Sequence, residues 1–403
     1  METSAFAAGD VAWVLTACAL VLMMTVPGLA LFYGGMVRRS NVLSTLMQSL
    51  TAAALVTLAW VLIGYSLAFG GEGIFVGGLA RLGLAGMTPD SASGGLPESV
   101  FVLFQMTFAI ITVAIIAGAA AERLSFKAWV IFVPVWLIAV YAPIAHWVWG
   151  GGFLSEAGVL DFAGGAVVHI NSGVAGLILA LKLGPRRGWP HEGQPPHNLV
   201  LTVIGAGLLW VGWFGFNGGS ALAADALAGH AALVTQIAAA SAALGWAGLE
   251  WALRGKASVL GAASGAVAGL VGITPAAGFV SPGAAVAIGL LTAGGTYAAV
   301  NHLKSALKFD DSLDAFGLHG VGGFIGAILT GVFASSAIGG TPGLIEGNAL
   351  LVWTQTWGAL AAAAYCAVLT FAILWVMERF IKLRVEEEDE VTGLDVALHG
   401  ESA

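Results

Sequence analysis

Long apolar stretches dominate this chain, and they leave it a bilayer rather than water to fold in. A hydrocarbon core of about 30 Å asks for roughly 17 to 25 apolar residues per helix. Breaking the sequence at its polar and turn-rich points leaves eleven such runs, near 11–33, 42–69, 98–120, 126–148, 163–183, 198–217, 224–253, 258–277, 281–304, 313–336 and 348–381. They are too long for barrel strands and lack period-two alternation. A soluble chain carries about a quarter charged residues; here 58% are hydrophobic and 9% charged, so no water-facing surface can be covered. Disorder, collagen and nucleic-acid binding are excluded by the same figures. Cys18 and Cys366 lie inside apolar runs and read as small hydrophobes, not as a disulfide or metal pair.

The basic residues give an independent test, because Lys and Arg accumulate in cytoplasmic loops. With the N-terminus outside, eleven spans leave Arg81 alone on the outer side. Arg38, Arg39, Arg123, Lys127, Lys182, Arg186, Arg187, Arg254, Lys256, Lys304, Lys308, Arg379, Lys382 and Arg384 all fall inside. Adding or dropping one helix would scramble that division. The leading segment 1–10 has no basic n-region and does not read as a signal peptide.

The two halves share a spacing. Asp161-x7-His169-x3-Gly173-x2-Gly176 recurs as Asp311-x7-His319-x3-Gly323-x2-Gly326, once at the outer start of span five and once at the inner start of span ten. Phe32-Tyr33-Gly34-Gly35, closing span one, is echoed by Phe216-Asn217-Gly218-Gly219, closing span six. That is the relation of an inverted-topology repeat. The expected architecture is an all-α membrane protein of eleven transmembrane helices, an inverted 5+5 pseudo-twofold repeat plus one long C-terminal helix, N-out and C-in. The transmembrane domain spans 1–383, with repeats about 11–183 and 198–336 and the extra helix about 348–381; residues 384–403 form a cytoplasmic tail.

The repeat also brings the two histidines together. Eight residues at about 1.5 Å rise carry each His about 12 Å in from its helix mouth, and two such descents into about 30 Å leave roughly 6 Å. Ionisable groups at that depth usually line a pathway. Packing histidines, or bis-histidine haem ligation, compete with this reading, although the tight spacing leaves no obvious haem-sized gap. Asp161 and Asp311 head their helices as N-caps would, and Asp161 reads equally as support for an outer cation site. Trp147, Trp149, Trp213, Phe216 and Ser220 gather at the outer ends of spans four and six, where ring faces and one hydroxyl suit a small cation. Gly261-x3-Gly265-x3-Gly269 allows close helix packing. No Walker, HExxH, zinc-type or dinucleotide motif is present, so neither an enzyme nor an ATP-driven pump is expected, and no cofactor.

The segment Asp161-Phe162-Ala163-Gly164-Gly165-Ala166-Val167-Val168-His169 resembles the signature of the ammonium transporter (Amt/Mep/Rh) family. The resemblance extends through PGLALFYGG at 27–35, FQMTFAIIT at 104–112, AERLSF at 121–126, HWVWGGG at 146–152, WFGFNGGS at 213–220 and LHGVGG at 318–323, and it looks like the bacterial Amt branch. It implies an outer ammonium site of Phe108, Trp149 and Ser220, a gate of Phe108 and Phe216, and a pore lined by His169, His319, Trp213 and Phe32. Asp161 would be the supporting acid. It further implies a homotrimer in the bacterial inner membrane that carries ammonium or ammonia, with methylammonium as analogue and membrane lipid as surroundings. The tail Gly393-Leu394-Asp395-Val396, with His399-Gly400, resembles one that docks on the cytoplasmic face and accepts a PII-type signalling protein; a solvated acidic tail is the plainer reading. If it docks, Arg186, Arg187, Lys304 and Lys308 are the cations expected to meet its carboxylates. An ammonium sensor and a neutral-gas channel of the same fold are the competing functions. The short stretch after the last span favours transport, and net electrogenic movement is the expected mode.

Overall fold

The computed structural model describes residues 6–403. Ten of its helices are long and apolar enough to cross a bilayer: α1 (Ala8–Met36), α2 (Arg39–Phe69), α3 (Glu98–Ala120), α4 (Phe126–Glu156), α5 (Gly165–Leu183), α6 (Leu199–Gly218), α7 (Ala226–Arg254), α9 (Pro282–Ala306), α10 (Phe316–Phe333) and α11 (Ala349–Met377). Between α7 and α9 lies α8 (Val259–Ile273), apolar but only 15 residues long. The sequence run there continues to 277, but the helix ends at Ile273 and residues 274–279 form turns. Elsewhere expected and observed helices agree to within a few residues, except that α4 runs on to Glu156, past the expected end at 148. Of the leading segment 1–10, the first five residues lie outside those described, and α1 has begun by Ala8.

α5 and α10 run in opposite directions. Three residues past the end of α5, the backbone N–H of Arg186 donates to Asp310 Oδ2 at 2.8 Å, just ahead of the start of α10. Each helix opens on a carboxylate that satisfies orphan backbone donors. Asp161 accepts from the N–H groups of Gly164, Gly165, Ala166 and Val167 at 2.6–3.2 Å. Asp311 accepts from Ala315, Phe316 and Gly317 at 2.8–3.3 Å. Midway the two helices cross at glycines: a Cβ on Gly173 would strike the backbone of Gly320, and one on Gly323 would strike Gly165 and His169. The repeat spacing thus fixes both the capping and the crossing. α3 is buried along nearly its whole length and forms the central post. α11 straps the bundle, with Cys366 Sγ on Asn171 O of α5 (3.1 Å), Thr370 on the Trp136 indole of α4 (2.9 Å) and Gln355 on the backbone of Leu160 (2.7 Å).

Beyond α11 the chain turns back along the molecule. Val385 N donates to Arg123 O and Ser125 N to Leu383 O, and two short helices follow, α12 (Glu387–Thr392) and α13 (Leu394–His399). These two helices cover one end of the bundle, the tail face. Asp395 is buried and accepts from Ser44 N at 2.8 Å, while Leu394 N donates to Asn41 Oδ1 at 2.8 Å. Gly393 has φ 101° and no room for a Cβ beside Ser40, so the turn that aims α13 requires glycine.

Of the four expected cations, only Arg187 meets the tail, 3.7 Å from Glu387 in an exposed pair. Arg186 is buried between Asp310 (2.9 Å) and Glu122 (3.0 Å), and Lys304 pairs with Asp314 at 2.5 Å. The tail is held instead by Arg384 on the Leu183 carbonyl (2.9 Å), by Arg38 on the Glu390 carbonyl (3.0 Å) and by Asp395. Burial of Leu394 and Asp395, more than surface ion pairing, fixes it.

Candidate functional site

At the face opposite the tail, a cavity of about 290 Å³ opens between the ends of α2, α4 and α6 and the start of α3. Phe69, Phe101, Phe104, Gln105, Phe108, Val148, Trp149, Phe162, Ser220 and Leu222 line it. Three of the aromatics come from the spacing of α3, where Phe101, Phe104 and Phe108 recur at three and four residues and so share a helix face, the rings of Phe104 and Phe108 4.9 Å apart. Trp149 stands edge-on to Phe108 at 5.8 Å and 89°. Its indole N–H is spent on the carbonyl of Asp161 (2.8 Å), which leaves the ring to face the cavity. Ser220 donates its proton to Phe216 O at 2.8 Å. A hydroxyl committed in that way presents only lone pairs to the cavity, as a cation requires.

The floor is closed by rings. Phe108 and Phe216 stack at 4.2 Å and 23°, both fully buried. Beneath them the imidazole of His169 lies 5.9 Å from Phe216 and stacks on Trp213 at 5.3 Å. The Trp213 indole donates to Thr274 Oγ1 at 2.9 Å, which holds the ring in place. His169 and His319 face each other with ring centroids 5.2 Å apart and Nδ1 to Nδ1 at 3.1 Å. In neutral imidazoles one Nδ1 then donates and the other accepts, so one Nε2 carries a hydrogen and the other a lone pair. The Nε2 of His169 is buried with no protein partner. A buried polar atom left open calls for a ligand that can hydrogen-bond.

Three of these residues sit in π-helical turns: His169 in Gly165–Ile170, Phe216 in Phe214–Gly218 and His319 in Phe316–Gly320. Such turns re-aim side chains and collect at functional sites. Nothing in the residue pattern announces them. The sequence reading also did not single out Thr274, Gln105 or the remaining cavity aromatics. Of those, the aromatics at helical spacing around Phe108 carried a usable signal.

The sequence-named residues divide as follows. Phe108, Trp149 and Ser220 line one cavity; Phe108 and Phe216 form one stack; His169, His319 and Trp213 form one column below it. Phe32 is buried, but its ring contact is with Tyr33 (5.9 Å) and not with that column. Asp161 has both oxygens occupied by backbone amides, so it supports the cavity through the Trp149 anchor and not by facing it. Trp147 packs on Phe153 and Tyr365 and is framework.

A helical bundle that crosses the membrane many times, with an aromatic-lined recess above a buried polar pair, has the form of a membrane transport protein. The chain belongs to the Ammonium Transporter Family, whose sequence profile it matches over residues 12–403. It is 49% identical to an ammonium transporter of Bacillus subtilis over 96% of either chain. It is 48% identical to a putative ammonium transporter of Methanothermobacter thermautotrophicus over 98% of either chain. Among solved structures, Saccharomyces cerevisiae Mep2 superposes with a TM-score of 0.88 at 38% identity, covering 95% of this chain and 88% of that one. A sensor Amt protein superposes at 0.90 with 29% identity, covering 97% and 98%. Membership in a transporter family also answers the question of enzymatic activity: the chain is not an enzyme.

Proposed function

We propose that this protein transports ammonium by taking it up as the cation and passing it through the membrane as ammonia. One observation carries the reading: a stacked Phe108–Phe216 floor above a buried His169–His319 pair with an open Nε2. A bare cation in a low-dielectric passage costs several kcal/mol or more, and two phenyl rings supply no oxygen shell to replace its water. Potassium therefore stops at the rings. Ammonium can leave a proton behind, because Trp149, Phe108 and Ser220 hold it where deprotonation frees a neutral molecule small enough to pass. Beyond the rings the imidazole pair offers both a donor and an acceptor in line.

The orientation that puts the cavity outside and the tail in the cytoplasm is the one the basic residues favour. On it the released proton travels along the imidazole pair, giving net electrogenic transport. Residues 1–383 act as the transport domain and 384–403 as a regulatory tail. The functional unit is a homotrimer with one pore per subunit in the bacterial plasma membrane, and the docked tail receives a PII-type regulator.

Proteoliposomes loaded with this protein test the proposal. Ammonium and methylammonium should give inward currents, while potassium, urea and carbon dioxide should not. Ammonia flux without current would replace electrogenic transport with neutral conduction. The likeness to a sensor Amt protein supports a second role as sensor; binding of ammonium without flux would select it.

A further inference from the structure

α3 carries one polar side chain into the aromatic recess. Gln105 follows Phe101 by four residues and precedes Phe108 by three, so the three share a helix face, and Gln105 lines the cavity beside both rings. It is 8% exposed. Among the described residues, nothing hydrogen-bonds to its carboxamide. Gln355, buried on α11, by contrast spends both ends of its amide on the backbone of Leu160. A buried amide left open is costly unless something in the recess bonds to it. The rest of the recess is short of oxygen. Ring faces of Phe108 and Trp149 attract a cation but accept no strong hydrogen bond from it. The Asp161 carboxylate is occupied by four backbone amides, and Ser220 contributes a single hydroxyl oxygen.

We propose that Gln105 is a further binding residue of this recess, its Oε1 accepting a hydrogen bond from the bound cation while Ser220 Oγ accepts another. The inference rests on the reading of the recess as the ammonium site. A carboxamide can present either its oxygen or its NH2 group, and a cation selects the oxygen. The two acceptors stand on different helices, Gln105 on α3 and Ser220 just past the end of α6. A cation with several N–H donors therefore bridges them, whereas the rings alone would hold any small cation by charge. A hydrogen bond to a charged group corresponds to roughly tenfold or more in affinity.

The test is the concentration dependence of ammonium uptake by the full-length protein in proteoliposomes, compared among wild type, Gln105→Met and Gln105→Glu. Met keeps the length of the side chain and removes both polar atoms, so half-saturation should rise about tenfold with the maximal rate held. Glu keeps an acceptor and adds charge, so half-saturation should fall. A residue that only shaped the recess would disturb uptake in the same direction in both variants. That result, or a Gln105→Met curve with wild-type half-saturation, would overturn the role of Gln105 while leaving the transport reading intact. A wild type that takes up no ammonium would overturn both. If Gln105→Met does not fold, as its thermal midpoint would report, Gln105→Glu decides alone: half-saturation that does not fall would sink the proposal.

Discussion

The indole nitrogen of Trp149 donates to the main-chain carbonyl of Asp161 at 2.8 Å, so the residue that caps α5 also sets the ring that faces the cavity. Four backbone amides depend on the Asp161 side chain. Asp161→Ala should therefore cost at least the 2 kcal/mol or so of a strong cap, lowering the thermal midpoint and ammonium uptake together. Asp161→Asn, with one acceptor oxygen left, should fall between. Thermal unfolding of the purified variants alongside uptake checks this; a variant stable as wild type but inactive would make Asp161 a direct ligand.

The histidine pair should behave differently. On the proposed mechanism His169→Ala or His319→Ala removes a group that faces the passage, so the variants should fold normally and discriminate less between ammonium and potassium. Currents in the two ions, measured on the same reconstituted protein, give the ratio. Unchanged selectivity in both would remove the pair from the mechanism.

Recruitment is separable from conduction. Trp149→Leu combined with Ser220→Ala deletes the ring edge and the lone pairs but leaves the Phe108–Phe216 stack. A cation–ring contact is worth about 0.5 to 2 kcal/mol, so half-saturation should rise roughly two- to thirtyfold while the maximal rate holds. The concentration dependence of uptake measures it, and a wild-type curve would reduce the cavity to packing.

At the tail face, buried and exposed contacts should diverge. Asp395→Ala leaves Ser44 N without its charged acceptor, a loss of about 1.5 to 3 kcal/mol, and should release α13. Arg187→Ala touches an exposed pair worth about 0 to 1 kcal/mol and should change little. Limited proteolysis of residues 385–403 reports the difference, and deletion of that segment should leave a folded protein with reduced transport or lost regulator binding.

Acid should loosen the same face. Burial pushes the Glu122 and Asp310 carboxyls upward, but Arg186 beside both, with Arg38 and Asn41 on Glu122 and Arg123 on Asp310, outweighs it and holds each below the usual carboxylate range. A depressed folded-state pKa gives stability that is complete above the ordinary carboxylate range and is lost as pH falls through the folded value. Thermal stability should thus stay level from neutral pH down to that range and drop below it. Arg186→Gln should lower the plateau and move the drop to higher pH.

Much of this molecule was legible because bilayer thickness turns long apolar runs into helices. The Asp-x7-His spacing was the richest signal: it gave two capped helices running in opposite directions and imidazoles that meet at the expected separation. Asp161 shows the limit. Sequence left capping and cation support level; the four amide bonds show the cap, while the Trp149 anchor is made by the main chain of Asp161 and not by its carboxylate. The tail failed for a related reason. Charge counting paired its acids with Arg186 and Lys304, but Glu122, Asp310 and Asp314 compete for the same cations from adjacent loops, and burial decides the contest.

The π-turns under His169, Phe216 and His319 have a consequence for how these helices tolerate insertion and deletion. Each holds a residue more than an α-turn would, and each residue of helix corresponds to about 100° of rotation. Removing one amino acid from 165–170 would let α5 relax into regular geometry, better hydrogen-bonded than before. It would also turn the Asp161 cap and the Trp149 anchor by about a quarter-turn relative to His169. A deletion that improved the helix would thereby disconnect the two ends of the passage.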